Sequence, residues 1–257
     1  MKDYPVCECC LSHLQALPLA STCSVCGEPL APESLHASEA DGPDMGQCTA
    51  CIAHPPAFVR AVAFGLYEDL RPAIRLLKFE GVPSLAKPLG ALLANAILQL
   101  HATAPASLTV VPVPLYRGKR SYNQSTLLAE TALRIVQRSV EGWRLTLRTD
   151  LLYRTRRTES QFLLSPVQRV DNLKNAFRAN PAASGLDVLL IDDVYTTGAT
   201  ARECTRALLA AGAKSVHVAT LARAGRDVAV RWNPRLANPA HGIAPAESKE
   251  SRTIFHS

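Results

Sequence analysis

The stretch Asp187–Thr200, which reads DVLLIDDVYTTGAT, most constrains what this chain can fold into. It begins with an unbroken apolar run, Val188–Ile191, which is typical of a parallel strand buried on both faces. Two carboxylates, Asp192 and Asp193, follow this run, and helical periodicity starts at about Thr200. The sequence therefore predicts a strand, a short polar loop and a helix in an α/β fold.

The loop between the predicted strand and helix has the composition of an anion-binding site. Its small, mostly hydroxyl-bearing residues are Thr196, Thr197, Gly198, Ala199 and Thr200. A helix N-terminus presents unpaired backbone N–H groups and the positive end of the helix dipole, and both favour a phosphate. Gly198 lets the backbone approach that phosphate closely, and the threonine hydroxyls add donors. The aspartates at the strand end can accept hydrogen bonds from sugar hydroxyls.

Two other interpretations of this stretch explain less. An ordinary strand–turn–helix with a capping threonine accounts for Thr200, but not for the paired carboxylates or the repeated threonines. The run Gly212–Ser215 resembles the end of a nucleotide-binding P-loop, but no glycine precedes it at the spacing that a P-loop requires. A helix also precedes this run, whereas in a P-loop the helix follows. Gly212 is more simply a helix C-cap.

The charge of the chain favours a polyanionic ligand. The 257 residues carry a formal net charge of +6, and the sequence pI is about 9.0. Between Arg117 and Arg157, ten Lys or Arg residues stand against three acidic residues. Such a segment suits phosphate, pyrophosphate or nucleic acid, although a solvated basic surface would give the same count.

We expect a cytoplasmic protein without membrane insertion. The composition, 47% hydrophobic and 19% charged, is that of a soluble globular chain. No apolar run reaches the roughly 18 residues that a membrane span needs. Cysteines and polar residues follow Met1–Pro5 directly, which is not the pattern of a secretory signal.

Seven of the eight cysteines lie within the first 51 residues, where they predict a metal site. They include three C-x-x-C pairs: Cys7/Cys10, Cys23/Cys26 and Cys48/Cys51. In a reducing compartment such clustering favours a metal over disulfides, and zinc takes four thiolates in a tetrahedron. The preferred set for one structural Zn²⁺ is the second and third pairs, whose spacing resembles a zinc ribbon. The first pair is then an orphan, unless it joins one of the others or another chain.

The remaining segments alternate between strand and helix patterns. We predict strands at Phe58–Tyr67, Thr109–Val113, Arg144–Asp150, Ala176–Arg178 and Ser215–Leu221, the first of them antiparallel. We predict helices at Leu85–His101, Ser125–Arg138 and Ser165–Asn175, and one more on which Leu70, Ile74 and Leu77 share a face. Lys78 is expected at the surface and Phe79 in the core. From Gly225 onward the chain is polar and rich in proline, which predicts a disordered tail.

Two polar segments fall where a ligand could contact them. The loop after Thr109–Val113 carries Arg117, Lys119 and Arg120, and ligands of open α/β sheets bind beyond such strand ends. The segment Arg154–Gln161 is charged and lacks periodicity, so we expect a mobile loop.

These motifs resemble those of known families. The apolar run, the Asp-Asp pair and the Thr-Thr-Gly-x-Thr loop resemble the 5-phosphoribosyl-1-pyrophosphate (PRPP) signature of type I phosphoribosyltransferases. The order of motifs over roughly residues 7–223 resembles the ComF family, competence-associated proteins with a phosphoribosyltransferase-like domain, including the GntX-like members. That order comprises the cysteine pairs, Lys78-Phe79, Val111–Pro114, Arg120–Gln124, Arg154 with Thr158 and Gln161, Arg169, Asn172, Ala176-Phe177 and the signature.

The resemblance implies a role for each motif. Asp192 and Asp193 would hold the 2′ and 3′ hydroxyls of the ribose, and Thr196–Thr200 would cradle the 5′-phosphate. Mg²⁺ would arrive bridging pyrophosphate and ribose oxygens. The other implied substrate-binding residues are Arg117, Lys119 and Arg120 for the pyrophosphate, Gln124, and Arg154 and Gln161 in a loop that closes over the site. Family members often have Gly-Phe where this chain has Ser121-Tyr122, and longer ones carry a further C-x-x-C pair upstream.

The resemblance also implies the architecture and the candidate functions. A zinc-ribbon-like module would occupy residues 1–56, a type I phosphoribosyltransferase fold 57–224 and the tail 225–257. The chain would transfer a phosphoribosyl group to or from a nitrogenous acceptor, in connection with DNA uptake. Alternatively it would be a non-catalytic PRPP or nucleotide sensor, a single-stranded DNA-binding factor, or a mainly structural partner of other competence proteins. The acceptor base and the oligomeric state stay open.

Overall fold

Strands and helices alternate along the part of the chain that the computed structural model describes, which is residues 6, 11, 13–30, 46–116, 121–158 and 172–225. The helices are α1 (Thr49–Ala53), α2 (Tyr67–Phe79), α3 (Ala86–Leu98), α4 (Gln124–Ser139) and α5 (Ala199–Ala210). The strands are β1 (Arg60–Leu66), β2 (Ser107–Pro112), β3 (Arg144–Leu147), β4 (Leu152–Arg154), β5 (Phe177–Ala179), β6 (Asp187–Tyr195) and β7 (Ser215–Arg223). The helices predicted at Leu85–His101 and Ser125–Arg138 are confirmed as α3 and α4.

The five long strands form one parallel sheet in the order β1-β7-β6-β2-β3. β6 lies at its centre, with Leu189 opposite His217 of β7 on one side and Val110 of β2 on the other. The apolar run Val188–Ile191 is fully buried, as expected for a strand covered on both faces. The carboxyl ends of parallel strands lie at one edge of a sheet, so Asp192 and Asp193 of β6 lie at the same edge as the end of β2.

The strand predicted at Phe58–Tyr67 is confirmed as β1, but its predicted antiparallel direction is wrong. β1 pairs with β7 in parallel, and its interior residues are buried on both faces rather than alternately. The N-terminal segment covers the outer edge of β1. The N–H of Leu17 donates to the carbonyl of Phe64 at 2.6 Å, and the N–H of Ala61 donates to the carbonyl of Val25 at 2.7 Å.

Two hydrophobic cores lie on opposite faces of the sheet. On one face, α2, α3 and α4 pack against Leu189 and Ile191 of β6. On the other face, Leu190 packs with Leu208 of α5, with Phe177 of the small antiparallel pair β4–β5, and with buried cysteines of the N-terminal segment. The N-terminal segment therefore contributes directly to the hydrophobic core on this second face of the sheet.

The structure differs from two further predictions. The strand predicted at Arg144–Asp150 ends at Leu147, and Arg148 and Asp150 form an exposed ion pair of 2.7 Å in the following turn. Arg154 belongs to β4, where it lies opposite Phe177, and not to a mobile loop. The end of the predicted loop, most of the helix predicted from residue 165 and nearly all of the predicted tail lie outside the described residues. No helix in the described ranges combines the length and apolar character that a membrane crossing requires.

Candidate functional site

The turn between β6 and α5 is short and opens a helix N-terminus at the carboxyl edge of the sheet. β6 continues through both aspartates to Tyr195, so only Thr196, Thr197 and Gly198 separate it from α5. Gly198 has a φ of +78°, and its carbonyl accepts the first helical hydrogen bond from the N–H of Arg202 at 2.8 Å. The N–H groups of the first helical turn are thereby directed toward this edge of the sheet.

Tyr195 forms the floor of this turn. A Cβ at Gly198 would overlap the Tyr195 hydroxyl, so glycine is needed there for space as well as for the left-handed backbone. Tyr195 is 3% exposed, and the ring of Phe58 packs against it edge to face at 6.3 Å between centroids. Burial raises the pKa of Tyr195 to about 12, which keeps its hydroxyl neutral at physiological pH.

Asp192 faces the turn, and its carboxyl group has a raised pKa. It is half-buried and lines a cleft together with Thr196 and Gly198. Its Oδ1 accepts hydrogen bonds from the Ser125 hydroxyl at 3.2 Å and from the backbone N–H of Asp193 at 2.9 Å. Burial, followed by repulsion from the Asp193 carboxylate, raises the pKa of Asp192 to about 7.

Asp193 is buried and ion-paired. It is 3% exposed, and its Oδ2 lies 2.6 Å from Nζ of Lys78. The side-chain amide of Gln124 donates to the same oxygen at 3.4 Å. Lys78 comes from α2 and Gln124 from α4, so three elements converge on this carboxylate. Removing either partner of this ion pair would leave a buried charge without compensation.

The predictions for Lys78 and Phe79 are wrong for both residues. The Lys78 side chain is 21% exposed and paired with Asp193, whereas Phe79 is 63% exposed at the end of α2. Lys78 follows Ile74 by four residues, and residues at that spacing share a helix face. Because Ile74 is buried, the spacing itself places Lys78 on the inner face of α2. The spacing from Ile74 could therefore have predicted the inward position of Lys78 from the sequence.

The two residues before α4, Tyr122 and Asn123, form hydrogen bonds with the backbone near the ends of α2 and β2. Asn123 is the N-cap of α4: its Oδ1 accepts from the N–H of Ser125 at 3.0 Å, and its Nδ2 donates to the carbonyl of Val113 at 3.0 Å. The Tyr122 hydroxyl donates to the carbonyl of Leu77 near the end of α2. A phenylalanine at this position would lack the hydroxyl for that bond. An asparagine directly before a helical pattern was a readable capping signal.

The other residues predicted to bind substrate are only partly visible. Arg117, Lys119, Arg120 and Gln161 lie outside the described residues. The Arg154 guanidinium lies 5.2 Å from the centroid of the Phe177 ring and donates to the hydroxyl of Thr158. Burial lowers the pKa of Arg154, although a guanidinium remains charged. Arg154 is therefore anchored on the small sheet.

A second cluster lies in the N-terminal segment. The Sγ atoms of four buried cysteines lie within 4.8 Å of one another, and these are Cys23, Cys26, Cys48 and Cys51. The sulfurs of Cys26 and Cys48 are 3.6 Å apart. A disulfide would be about 2.05 Å long. A tetrahedron with zinc–sulfur bonds of about 2.3 Å has edges of about 3.8 Å, close to the observed spacing. Cys7 and Cys10 lie outside the described residues.

The chemistry of this donor set fits Zn²⁺. Cys23 Sγ accepts hydrogen bonds from the N–H groups of Cys26 at 3.5 Å and Cys48 at 3.3 Å, which stabilise a thiolate. Burial raises the pKa of Cys51 to about 12, so four ionised thiols at this spacing need a cation among them. Soft sulfur ligands in a tetrahedral arrangement are typical of a structural zinc site. The left-handed Gly27, with a φ of +67°, makes the tight turn after Cys26.

Comparison with known proteins identifies the class of the domain. Residues 90–237 match the phosphoribosyl transferase domain. This range includes β2, the carboxylates of β6, the turn before α5 and the strand that follows it. The chain therefore contains a phosphoribosyltransferase domain, and the predicted α/β fold with a parallel central sheet is confirmed.

Similar whole proteins identify the family within this class. The DNA utilization protein YhgH of Escherichia coli (strain K12) is 34% identical over 230 residues, which cover 83% of this chain and 96% of that protein. Competence protein F of Haemophilus influenzae is 29% identical over 228 residues, covering 85% of this chain and 90% of the relative. Competence protein ComFC of Bacillus subtilis is 26% identical over 232 residues, covering 86% and 85%. The chain belongs to the ComF family.

Proposed function

We propose that this chain binds Mg-PRPP, or the 5′-phosphate end of a nucleotide, and transfers a phosphoribosyl group to or from a nitrogenous acceptor. One observation carries the proposal: Asp192 lines the same cleft as the turn that opens α5. A carboxylate beside a helix N-terminus suits a ribose joined to a phosphate. The proposal keeps the domain boundaries predicted from the sequence, with a zinc-ribbon-like module at 1–56, the phosphoribosyltransferase domain at 57–224 and a tail at 225–257.

Each group at the edge of the sheet suits one part of such a ligand. The N–H groups of the turn and the hydroxyls of Thr196, Thr197 and Thr200 would hold the 5′-phosphate. Asp192 would accept hydrogen bonds from the ribose hydroxyls. Asp193 would supply a second negative charge beside it, held in place by Lys78 and Gln124. The basic residues Arg117, Lys119 and Arg120 would bind the pyrophosphate. Gln161 would lie in the segment that covers it, and Arg154, in β4, would lie where that segment begins.

In the proposed transfer, the bond from C1 of the ribose to the pyrophosphate oxygen breaks and a bond from the acceptor nitrogen to C1 forms. The proton leaves the nitrogen for solvent. Positive charge builds on the ribose and negative charge on the departing pyrophosphate, so ionised Asp192 and the basic residues stabilise opposite ends of the transition state. Mg²⁺, bound through substrate oxygens and a carboxylate such as Asp192, would neutralise part of the phosphate charge.

Calorimetric titration of the protein with Mg-PRPP tests the binding step, and pyrophosphate release in the presence of purine and pyrimidine bases tests the transfer. We expect a dissociation constant within about 1 μM to 1 mM, the usual range for enzyme substrates. Release with one base identifies an enzyme and its acceptor. Binding without release for any base supports the sensor alternative. A protein that binds neither PRPP nor a nucleoside monophosphate would contradict the proposal.

Substitution of Gly198 tests the turn itself. We expect Gly198→Ala to weaken Mg-PRPP binding by about tenfold, because the left-handed conformation costs other residues about 1–2 kcal/mol and the new methyl group would also displace Tyr195. Gly142→Ala is the matched control, since Gly142 has a φ of +80° and no atom within 4 Å of an added Cβ. Equal affinities for the two variants in the same titration would exclude a role for the turn.

A second candidate function is the binding of single-stranded DNA. It is favoured by the names of the relatives and by the segment from Arg117 to Arg157, in which ten basic residues stand against three acidic ones. Changing Arg117, Lys119 and Arg120 together to Ala should weaken DNA binding and reduce the slope of log K against log salt by about 0.7 for each phosphate that is no longer neutralised. The charge-matched control changes the exposed Arg71, Arg75 and Lys87 of α2 and α3. The same slope in both variants would remove this candidate.

A further inference from the structure

A fully buried arginine contacts the cysteine cluster. Arg223, the last residue of β7, is 0% exposed. Its Nε donates to the Glu28 carboxylate at 3.0 Å, and its Nη2 also donates to that carboxylate. Two further contacts are to Cys26, whose carbonyl accepts from Nη1 and whose Sγ lies 3.4 Å from Nη2. Arginine is almost never fully buried unless it is paired, so these partners define its position.

The same guanidinium supports the floor of the phosphate turn. Its central carbon lies 4.1 Å from the centroid of the Tyr195 ring, and Arg223 and Tyr195 are opposite each other in the β6–β7 ladder. A guanidinium stacked on an aromatic face is attracted by the ring quadrupole. The Tyr195 hydroxyl in turn fills the space beside Gly198. Direct contacts therefore lead from the Cys26 sulfur through Arg223 and Tyr195 to the turn.

A second contact joins the cysteine segment to the other side of the turn. Arg202, in the first turn of α5, donates to the carbonyl of His54 at 2.6 Å. His54 is the C-cap of α1, the short helix that carries Cys51. The segment that holds the four cysteines thus contacts α5 directly through His54. It also reaches Tyr195, the residue before the turn, through Arg223.

We propose that Arg223 is a positioning residue that couples the metal-loaded cysteine cluster to the phosphate turn, so that metal and PRPP raise each other's affinity. This proposal rests on the proposed function, because it requires PRPP to bind at the turn. A metal ion would fix the four sulfurs and hence the carbonyl and Sγ of Cys26. Without the ion, only weak hydrogen bonds to sulfur among the described contacts hold the four cysteines together, so the position of Cys26 is less fixed and the support that Arg223 gives to Tyr195 weakens. A coupling between two binding sites acts equally in both directions.

The coupling can be measured on the unaltered protein. Zinc affinity is determined by competition with a colorimetric chelator, with and without saturating Mg-PRPP. We expect PRPP to tighten zinc binding by about fivefold or more, and removal of zinc to weaken Mg-PRPP binding by the same factor. Chelation of zinc by PRPP itself would act in the opposite direction. An increase in zinc affinity therefore reports the coupling alone.

Variants test whether Arg223 carries this coupling. Arg223→Lys keeps the charge but cannot donate to Glu28 and Cys26 at the same time, as a planar guanidinium does. We expect this variant to bind both zinc and PRPP, but the factor by which each ligand changes the affinity for the other should fall toward one. Arg206→Lys, at a residue of α5 whose side chain is 51% exposed, is the control and should keep the full coupling. If the wild-type protein binds zinc and PRPP independently, the coupling is refuted and the proposed function stands. If it binds neither PRPP nor a nucleoside monophosphate, both proposals fail. Should Arg223→Lys not fold, the wild-type measurement still decides.

Discussion

Replacing Asp192 by Asn is expected to weaken Mg-PRPP binding by about 10- to 100-fold at pH 8. A hydrogen bond to a charged group contributes about 1.5–3 kcal/mol, and Asp192 is the carboxylate that lines the cleft with the turn. Asn keeps the shape of the side chain and can still accept from the hydroxyl of Ser125, so the loss reports the charge. Adding Asp193→Asn should abolish detectable binding, although it also deprives Lys78 of its ion pair.

The matched control lies at the other end of the same strand. Asp187 accepts a hydrogen bond from the Ser215 hydroxyl at 2.6 Å, at the amino end of β6. Asp187→Asn should leave the affinity for Mg-PRPP unchanged in the same calorimetric titration. Equal affinities for the wild type and Asp192→Asn would refute the assignment of Asp192 to the ribose.

The raised pKa of Asp192, about 7, gives this site a pH dependence of defined sign. PRPP affinity should rise from pH 6 to pH 8 as Asp192 ionises, and the Asp192→Asn profile should be flatter. Stability should change in the opposite direction. The unfolded aspartate ionises near pH 4, so the native state binds more protons between about pH 4 and 7 and the free energy of unfolding falls as pH rises across that window. At pH 8, Asp192→Asn should therefore unfold at higher denaturant concentration than the wild type.

Replacing Cys51 by Ser is expected to remove the metal and lower the melting temperature by about 10 °C or more. Structural zinc contributes directly to folding free energy, and for a chain of this size about 1 kcal/mol corresponds to 2–4 °C. The four cysteines share a hydrophobic core with β6 and α5, so the loss should reach beyond the N-terminal segment. Elemental analysis should give about one zinc per wild-type chain and almost none in Cys51→Ser, and calorimetry would measure the melting temperature.

Two controls separate the cluster from other thiols. Cys204→Ala removes a buried thiol of α5 outside the cluster and should keep the metal. Changing Cys7 and Cys10 to Ser shows whether that pair takes part: an unchanged zinc content leaves it an orphan pair. Full zinc content in Cys51→Ser would contradict the assignment of the four-sulfur site.

Features defined by neighbouring residues could be predicted from the sequence. The strand, the turn and the start of α5 lie within Asp187–Thr200, so their pattern is visible locally. Each C-x-x-C pair is equally local, and the spacing between the second and third of the three pairs indicated which four cysteines meet. Buried polar contacts between distant residues leave no such pattern. Nothing in the vicinity of Asp193 in the sequence indicates that Gln124, 69 positions away, donates to it.

The wrong direction predicted for β1 has the same physical origin. The direction of β1 depends on β7, a partner more than a hundred residues further on, and a short apolar run does not encode which way its partner runs. The contact between Arg223 and Cys26 spans 197 positions. In the sequence, Arg223 is only a basic residue at the end of a strand. Its position against the cysteines becomes visible when β7 and the N-terminal segment are placed together.

The cover over β1 gives the cysteine cluster a role in protecting the chain from self-association. The backbone of Val25, between Cys23 and Cys26, occupies the outer edge of β1 through its carbonyl. An uncovered strand edge offers unpaired N–H and C=O groups to any other chain that can add a strand. A chain without its metal would expose such an edge. We therefore expect demetallated protein to be lost by aggregation rather than by simple unfolding.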